Sequence, residues 1–130
     1  MNNRYNSYTN NTHNRDEIIE KIRNEKLDEA KIDELAQKIV EKINNNKIKY
    51  HQLRKIYDYI RKAKDNKDLI LAKPKIAYQN RVIKNTNFLD YYLKFIDRVI
   101  ESNDPKEKEY LKQFNEAIIC YFKYYEKQGD

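Results

Sequence analysis

Apolar residues recur every three or four positions along most of this chain, which is the spacing of a single buried stripe on each of several helices. The pattern is clear over residues 50–64 and strongest over residues 87–102. Residues 15–44 carry a longer stripe that fits either one helix or two. In the second case Asp28 would cap the second helix. Three asparagines at positions 44–46 are expected to end this part, because Asn tolerates left-handed backbone geometry.

Two proline-containing segments predict where the later helices begin. Pro74 suits the first turn of a helix running to about Ile83, after a polar turn over residues 64–68 and a short apolar run of helical or extended type. The segment Asp104-Pro105-Lys106-Glu107 predicts the start of the last helix, which would extend to about residue 127. Asp104 would cap it, and Glu107 would reach back to complete a capping box.

These elements predict an all-α fold, a single compact bundle of five or six helices over residues 15–130. One Gly and two Pro in 130 residues do not suit a sandwich or barrel. Residues 1–14 are mostly Asn and Thr without periodicity and are expected to form a flexible tail. Tyr57 and Tyr78 are expected in the core. A single cysteine and the lack of any long apolar run indicate a reducing cytoplasm and no membrane.

Positive charge is concentrated in the middle of the chain. The chain carries +6 overall, but residues 47–84 hold 12 Lys and Arg against three Asp, a net charge of +9. Such a segment is typical of a protein that binds a polyanion. The candidate phosphate contacts are Arg54, Lys55, Arg61, Lys62, Lys73, Lys75, Arg81 and Lys84.

Arg54 and Arg61 are the most informative pair, because 100° per residue places them about 20° apart on one helix. Asp58 lies between them and could pair with both, which would be a purely structural role. One Asp cannot neutralise two Arg, so a net positive flank would remain. Tyr59 lies off the buried face and could stack on a base.

The sequence supplies little for catalysis. It has no glycine-rich phosphate loop, and neither His13 nor His51 forms a metal-ligand spacing with Cys120. Cys120 is expected to be a small buried hydrophobe, and buried thiols are usually inert. A solvated helix face explains Asp28, Glu29, Asp33 and Glu34 better than an acid–base pair does. We therefore expect no enzymatic activity, metal or cofactor.

Three ordered blocks resemble the small subunit of type III-A CRISPR–Cas (Csm) effector complexes. They are residues 52–57 (QLRKIY), 73–81 (KPKIAYQNR) and 114–123 (FNEAIICYFK). The resemblance implies a helical subunit present in several copies, with crRNA, target RNA and the other subunits as partners. It implies contact with the RNA backbone without sequence preference. Among the candidates it supports Arg54 and Arg81 first, then Lys55 and Lys75, whereas Arg61 and Lys84 depend on the charge argument alone.

Three alternatives remain open from the sequence. A helical protein–protein adaptor would use the same basic face for an acidic partner and would not retain RNA at low salt. The equivalent small helical subunit of a type III-B complex is a second, although the order of the blocks favours III-A. An enzyme would need a polar pocket that these residues do not supply.

Overall fold

A computed structural model of the chain describes residues 15–43, 48–79 and 86–129. Within these ranges the chain forms six helices and no strand, which confirms the predicted all-α bundle. The helices are α1 (15–24), α2 (Glu29–Lys42), α3 (Tyr50–Lys62), α4 (Asn66–Tyr78), α5 (Thr86–Ser102) and α6 (Pro105–Gly129). The predicted tail at 1–14 and the asparagines at 44–46 lie outside the described residues. None of the helices described is long and apolar enough to cross a membrane.

The longest helix, α6, packs against α2, α3 and α5, and α4 packs against α5 and α3. Aromatic rings fill the space between α5 and α6, where Tyr92 meets Phe88 and Phe114 edge-on at centroid distances of 5.4 and 5.6 Å. Phe95 lies 4.9 Å from Phe114. Edge-on ring pairs of this kind stabilise a core beyond the area that they bury. α6 therefore holds α2, α3 and α5 in place.

The N-terminal stripe is divided into two helices. Asp28 caps α2 as predicted, since its Oδ1 accepts a hydrogen bond from the Lys31 backbone N–H at 2.8 Å. The break before it is held by Arg98 of α5, whose guanidinium donates to the carbonyls of Ile22 and Glu25 at 2.9 and 2.6 Å. An arginine that binds carbonyls at a helix end satisfies groups the helix leaves without partners.

The start of α6 is partly as predicted. Asp104 caps the helix, because its Oδ1 accepts from the Lys106 backbone N–H at 2.9 Å. The capping box is wrong: the Glu107 carboxylate instead accepts two hydrogen bonds from Arg98, at 2.5 and 3.1 Å. Both side chains of this pair are only 15% exposed. A two-pronged, largely buried ion pair is a stronger interaction for Glu107 than the backbone N–H that it was expected to reach.

The prediction that Pro74 opens a helix is wrong. Asp65 caps α4 instead, accepting from the Asp68 backbone N–H at 2.9 Å, so the helix begins at Asn66 and includes the short apolar run. Pro74 lies inside α4, and the helix ends at Tyr78, with Gln79 as its C-cap. Proline has no N–H, so the Ile70 carbonyl one turn earlier lacks its helical hydrogen bond.

Two side chains predicted to be buried are exposed. Cys120 lies on the solvent side of α6, about 200° around the helix from the buried Ile118. Its apolar sequence neighbours do not decide its burial, because successive residues of a helix face different directions. Tyr78 is 61% exposed, whereas Tyr57 is buried as expected.

Candidate nucleic-acid interface

The outer side of α3 is a continuous basic surface. Leu53, Ile56, Tyr57 and Ile60 fix the helix against the core, which turns the rest of its circumference to solvent. Counted at 100° per residue, the exposed cations follow one another over about 120° of that circumference. We call this surface the α3 basic face, and its members are Arg61, Arg54, Lys62 and Lys55.

Asp58 lies in the middle of the α3 basic face and contacts both arginines. Its Oδ1 is 3.5 Å from Nε of Arg54 and 3.5 Å from Nε of Arg61. Both contacts are ionic rather than hydrogen bonds, since this buried oxygen receives no hydrogen bond. Asp58 therefore pairs with both arginines, but the two arginine side chains are still about half exposed, at 49% and 51%. One carboxylate leaves a net positive charge on the trio.

Arg54 is also held by aromatic side chains. Its Nη1 donates to the Tyr50 hydroxyl at 3.2 Å, and its guanidinium lies 5.1 Å from the centre of the Tyr57 ring. The Tyr57 hydroxyl in turn donates to the carboxylate of Glu116 on α6, at 2.9 and 3.1 Å. Burial and this hydrogen bond raise the pKa of Tyr57, so the hydroxyl stays protonated and can donate at neutral pH. These contacts fix the position of the Arg54 guanidinium.

Residues of α6 extend and brace this surface. Lys123 lies 4.4 Å above the Tyr50 ring and adds a cation beside Arg54. The Asn115 side-chain N–H donates to the Tyr57 carbonyl at 3.0 Å, which ties the middle of α3 to α6. The charge argument missed these residues because they lie outside the basic segment. The third motif block, residues 114–123, contains Lys123, Asn115 and Glu116. This block was the sequence signal that could have identified them.

Two further lysines of α6 bind the C-terminal end of α3. Lys112 donates to the carbonyls of Arg61 and Ala63 at 3.0 and 2.7 Å, and Lys108 donates to the Lys64 carbonyl. Cations at this end of a helix interact favourably with its dipole. Burial, with smaller contributions from the charges of Lys108 and Arg61, lowers the pKa of Lys112. No sequence signal indicated this role, which depends on the α3–α6 packing.

The other residues predicted to contact RNA are not members of the α3 basic face. The Lys75 ammonium lies 5.7 Å from the centre of the Tyr59 ring, and Tyr59 is about 140° around α3 from Arg54. Lys75 therefore lies beyond the far edge of the α3 basic face. Lys73 forms an ion pair with Asp97 of α5 at 2.5 Å. Arg81 and Lys84 lie outside the described residues.

The chemistry available at this surface is that of ammonium and guanidinium donors, which bind phosphate oxygens. In the part of the chain that the structure describes, no group of three or more His, Cys, Asp or Glu is arranged to hold a metal ion. His51 is exposed at the start of α3.

Comparison with known proteins gives one match. A model of the protein family described as Csm2 Type III-A matches residues 26–128, which is 103 of the 130 residues. The matched region contains helices α2 to α5, nearly all of α6, and the three motif blocks. No curated protein and no solved structure matches the chain.

Proposed function

The chain belongs to the Csm2 Type III-A family, the small subunits of type III-A CRISPR–Cas complexes, and from this membership we propose that it binds the RNA backbone without catalysing a reaction. The ligand would be the target RNA paired with crRNA in the cytoplasm. Guide–target base pairing supplies sequence selection in RNA-guided complexes, so such a subunit needs only to recognise charge and shape. The family match favours type III-A over the type III-B alternative.

The observation that carries this proposal is the α3 basic face. Arg54, Lys55, Arg61 and Lys62 share one side of a 13-residue helix, and Asp58 is the acid among them. Arginine grips a phosphate with two parallel N–H donors, whereas lysine acts as a point charge. A contact with phosphate carries no information about the neighbouring base. Binding through this face is therefore expected to be independent of sequence.

We assign the other predicted contacts a secondary part. Lys75 lies next to the α3 basic face and would extend it for a longer RNA, with Tyr59 beneath it as the surface on which the ammonium rests. Arg81 and Lys84 are also proposed to contact RNA, on the sequence argument alone. Lys73 is left out because Asp97 already neutralises it.

Several copies of the chain are proposed to lie side by side in the complex, and the outer side of α4 is the surface that supports this. Ile70, Leu71 and Tyr78 are 52%, 55% and 61% exposed. At 100° per residue they fall within about 100° of one another on α4, with Pro74 among them. We call these four residues the α4 apolar stripe. Contiguous exposed apolar side chains of this kind are typical of a protein interface.

The neighbour that covers this stripe is proposed to be the α2–α6 edge of the next copy. That edge carries Tyr124, the fourth large hydrophobic side chain exposed in the described residues. It also carries acids, because the hydroxyls of Tyr121 and Tyr125 donate to Asp33 and Glu41. The α4 apolar stripe is flanked by exposed Lys67 and Lys75. Apolar surfaces with opposite charges at their rims are complementary.

The salt dependence of RNA binding tests the proposed function. If one copy neutralises three phosphates, log K is expected to fall against log[salt] with a slope of roughly −2, from about −0.7 per phosphate of a single strand. Fluorescence anisotropy of a labelled oligouridylate, followed over a series of salt concentrations, measures the slope. A protein–protein adaptor predicts no RNA binding even at the lowest salt, and a slope near zero would contradict the proposal.

A further inference from the structure

Asp58 is the one carboxylate on the α3 basic face, and its position is unusual. Its Oδ1 is buried between the Nε atoms of Arg54 and Arg61, at 3.5 Å from each, and no donor reaches it with hydrogen-bond geometry. Carboxylates that stabilise a fold normally accept hydrogen bonds, because a buried oxygen without one loses its hydration for no return. Asp58 is thus placed by charge and not by hydrogen bonding.

The neighbouring carboxylate makes a useful contrast. Glu116 lies on the adjacent part of α6 and accepts hydrogen bonds from the Tyr57 hydroxyl through both of its oxygens. Its contacts join two helices, which is a structural role. Asp58 joins two side chains of its own helix, one four residues earlier and one three residues later. Exposed pairs at this spacing contribute little to stability, so stability does not explain its position.

Asp58 contacts each arginine at Nε, and the two arginine side chains remain about half exposed. A phosphate approaching from solvent would bind the same two guanidinium groups that Asp58 contacts from below. The phosphate and the carboxylate would then be like charges within several ångströms of each other. Asp58 therefore opposes the binding that the arginines favour.

We propose that Asp58 is an internal competitor of RNA phosphate, and that it sets the affinity of a single copy well below what its two arginines would give alone. This inference rests on the proposed function. It fits a subunit used in several copies, because weak sites act together once they are held in one assembly. Each copy alone releases RNA readily, and only copies in register along one RNA hold it.

The test compares two substitutions that each remove one negative charge. Asp58→Asn keeps the shape of the side chain, and Glu34→Gln removes a charge from an exposed position on α2. Both raise the net charge by one unit, so general attraction of RNA increases equally. Any difference between them comes from the location of Asp58.

Binding of the labelled oligouridylate to the full-length protein is measured over the same salt series. At low salt, Asp58→Asn is expected to raise the affinity roughly three- to ten-fold over Glu34→Gln, the range for removing a like charge about 6 Å from a phosphate. The excess is expected to shrink as salt is added. Asp58→Ser removes the same charge with a different side chain. Its affinity for the oligouridylate should also exceed that of Glu34→Gln, so the comparison holds even if one of the two Asp58 variants loses some stability.

A second readout follows the arginines directly. In NMR spectra the Nε–H signals of Arg54 and Arg61 are expected to shift on addition of the oligouridylate, and to be shifted already in part by Asp58→Asn without RNA. Equal affinities for Asp58→Asn and Glu34→Gln, or a lower affinity for Asp58→Asn, would overturn this inference and leave the proposed function standing. If the wild-type protein shows no salt-dependent binding at all, the proposed function fails, and this inference fails with it.

Discussion

The outer sides of α3 and α4 differ sharply, although the two helices are neighbours of the same length, 13 residues each. α3 separates its residues cleanly into an apolar face toward the core and a charged face toward solvent. α4 is apolar on both: Leu69, Ala72 and Ile76 are buried, while Ile70 and Leu71 are exposed on the other side. The two helices therefore present different chemistry to the outside.

The difference shows that the net charge of residues 47–84 does not describe either helix by itself. This one segment forms two surfaces of different chemistry. On α3 the arginines share one carboxylate and remain accessible. On α4, Lys73 is neutralised by Asp97, and the outward residues are mostly uncharged. A charged side facing solvent can meet a polyanion, whereas contiguous exposed apolar side chains are typical of a surface that another protein covers. Under the proposed function, RNA contact would therefore fall mainly to α3 and contact with the next copy to α4.

The largest effect is expected from charging the α4 apolar stripe. In Ile70→Asp with Leu71→Asp, two carboxylates replace the side chains proposed to be covered by the next copy, and burying them there would be costly. Most copies are expected to be lost from a complex purified from cells that co-express its subunits. Native mass spectrometry counts them.

The matched control for this loss is Arg23→Asp, at an exposed position on α1, which lowers the net charge by two units as the double variant does. It is expected to keep the wild-type number of copies. The helix content of the double variant is expected to be unchanged, because both residues face solvent. A complex that keeps its full number of copies with both carboxylates present would contradict the assignment of α4 to subunit contact.

A smaller effect, confined to RNA binding, is expected from Arg54→Ala. Loss of one charge-assisted contact to phosphate should weaken binding of the oligouridylate about ten-fold and make the salt slope shallower by about 0.7. Arg23→Ala removes the same charge from an exposed position on α1 and should change affinity less than about two-fold. If circular dichroism shows that Arg54→Ala unfolds the protein, then Arg54 has a structural role.

The smallest effects separate two lysines of α4. Lys75→Ala is expected to weaken binding about two- to three-fold, because its ammonium lies near the α3 basic face. Lys73→Ala should leave the affinity unchanged, since that charge is already paired, and should cost at most about 1 kcal/mol of stability. Anisotropy and thermal unfolding measure the two quantities. Equal losses of affinity would mean that the Lys73–Asp97 pair opens for RNA.

Local sequence patterns predicted most of the fold. The periodicity of apolar residues gave α3, α5 and α6, and Asp28 and Asp104 cap helices as expected. The start of α4 was missed because Pro74 is a common first residue of a helix, whereas Asp65 caps this one earlier. Cys120 and Tyr78 were misplaced because apolar neighbours in sequence do not fix the direction in which a helical side chain points.

The site was predictable only in part, for a related reason. Spacing along one helix placed Arg54, Asp58 and Arg61 together, because helical geometry is regular. The contacts of Lys73 with Asp97 and of Lys123 with Tyr50 join different helices, and no local pattern encodes them. The burial of a cation by a distant partner is a property of the tertiary structure.

Pro74 has a consequence for how a neighbour could lie on α4. Because it has no N–H, it cannot supply the helical hydrogen bond to the Ile70 carbonyl, which lies beside the α4 apolar stripe. Apolar contact has no preferred direction, whereas a hydrogen bond has a narrow one. A partner that donated to this carbonyl would be held in one orientation and one register. A row of such copies would have a defined polarity, with every copy in the same orientation along the RNA.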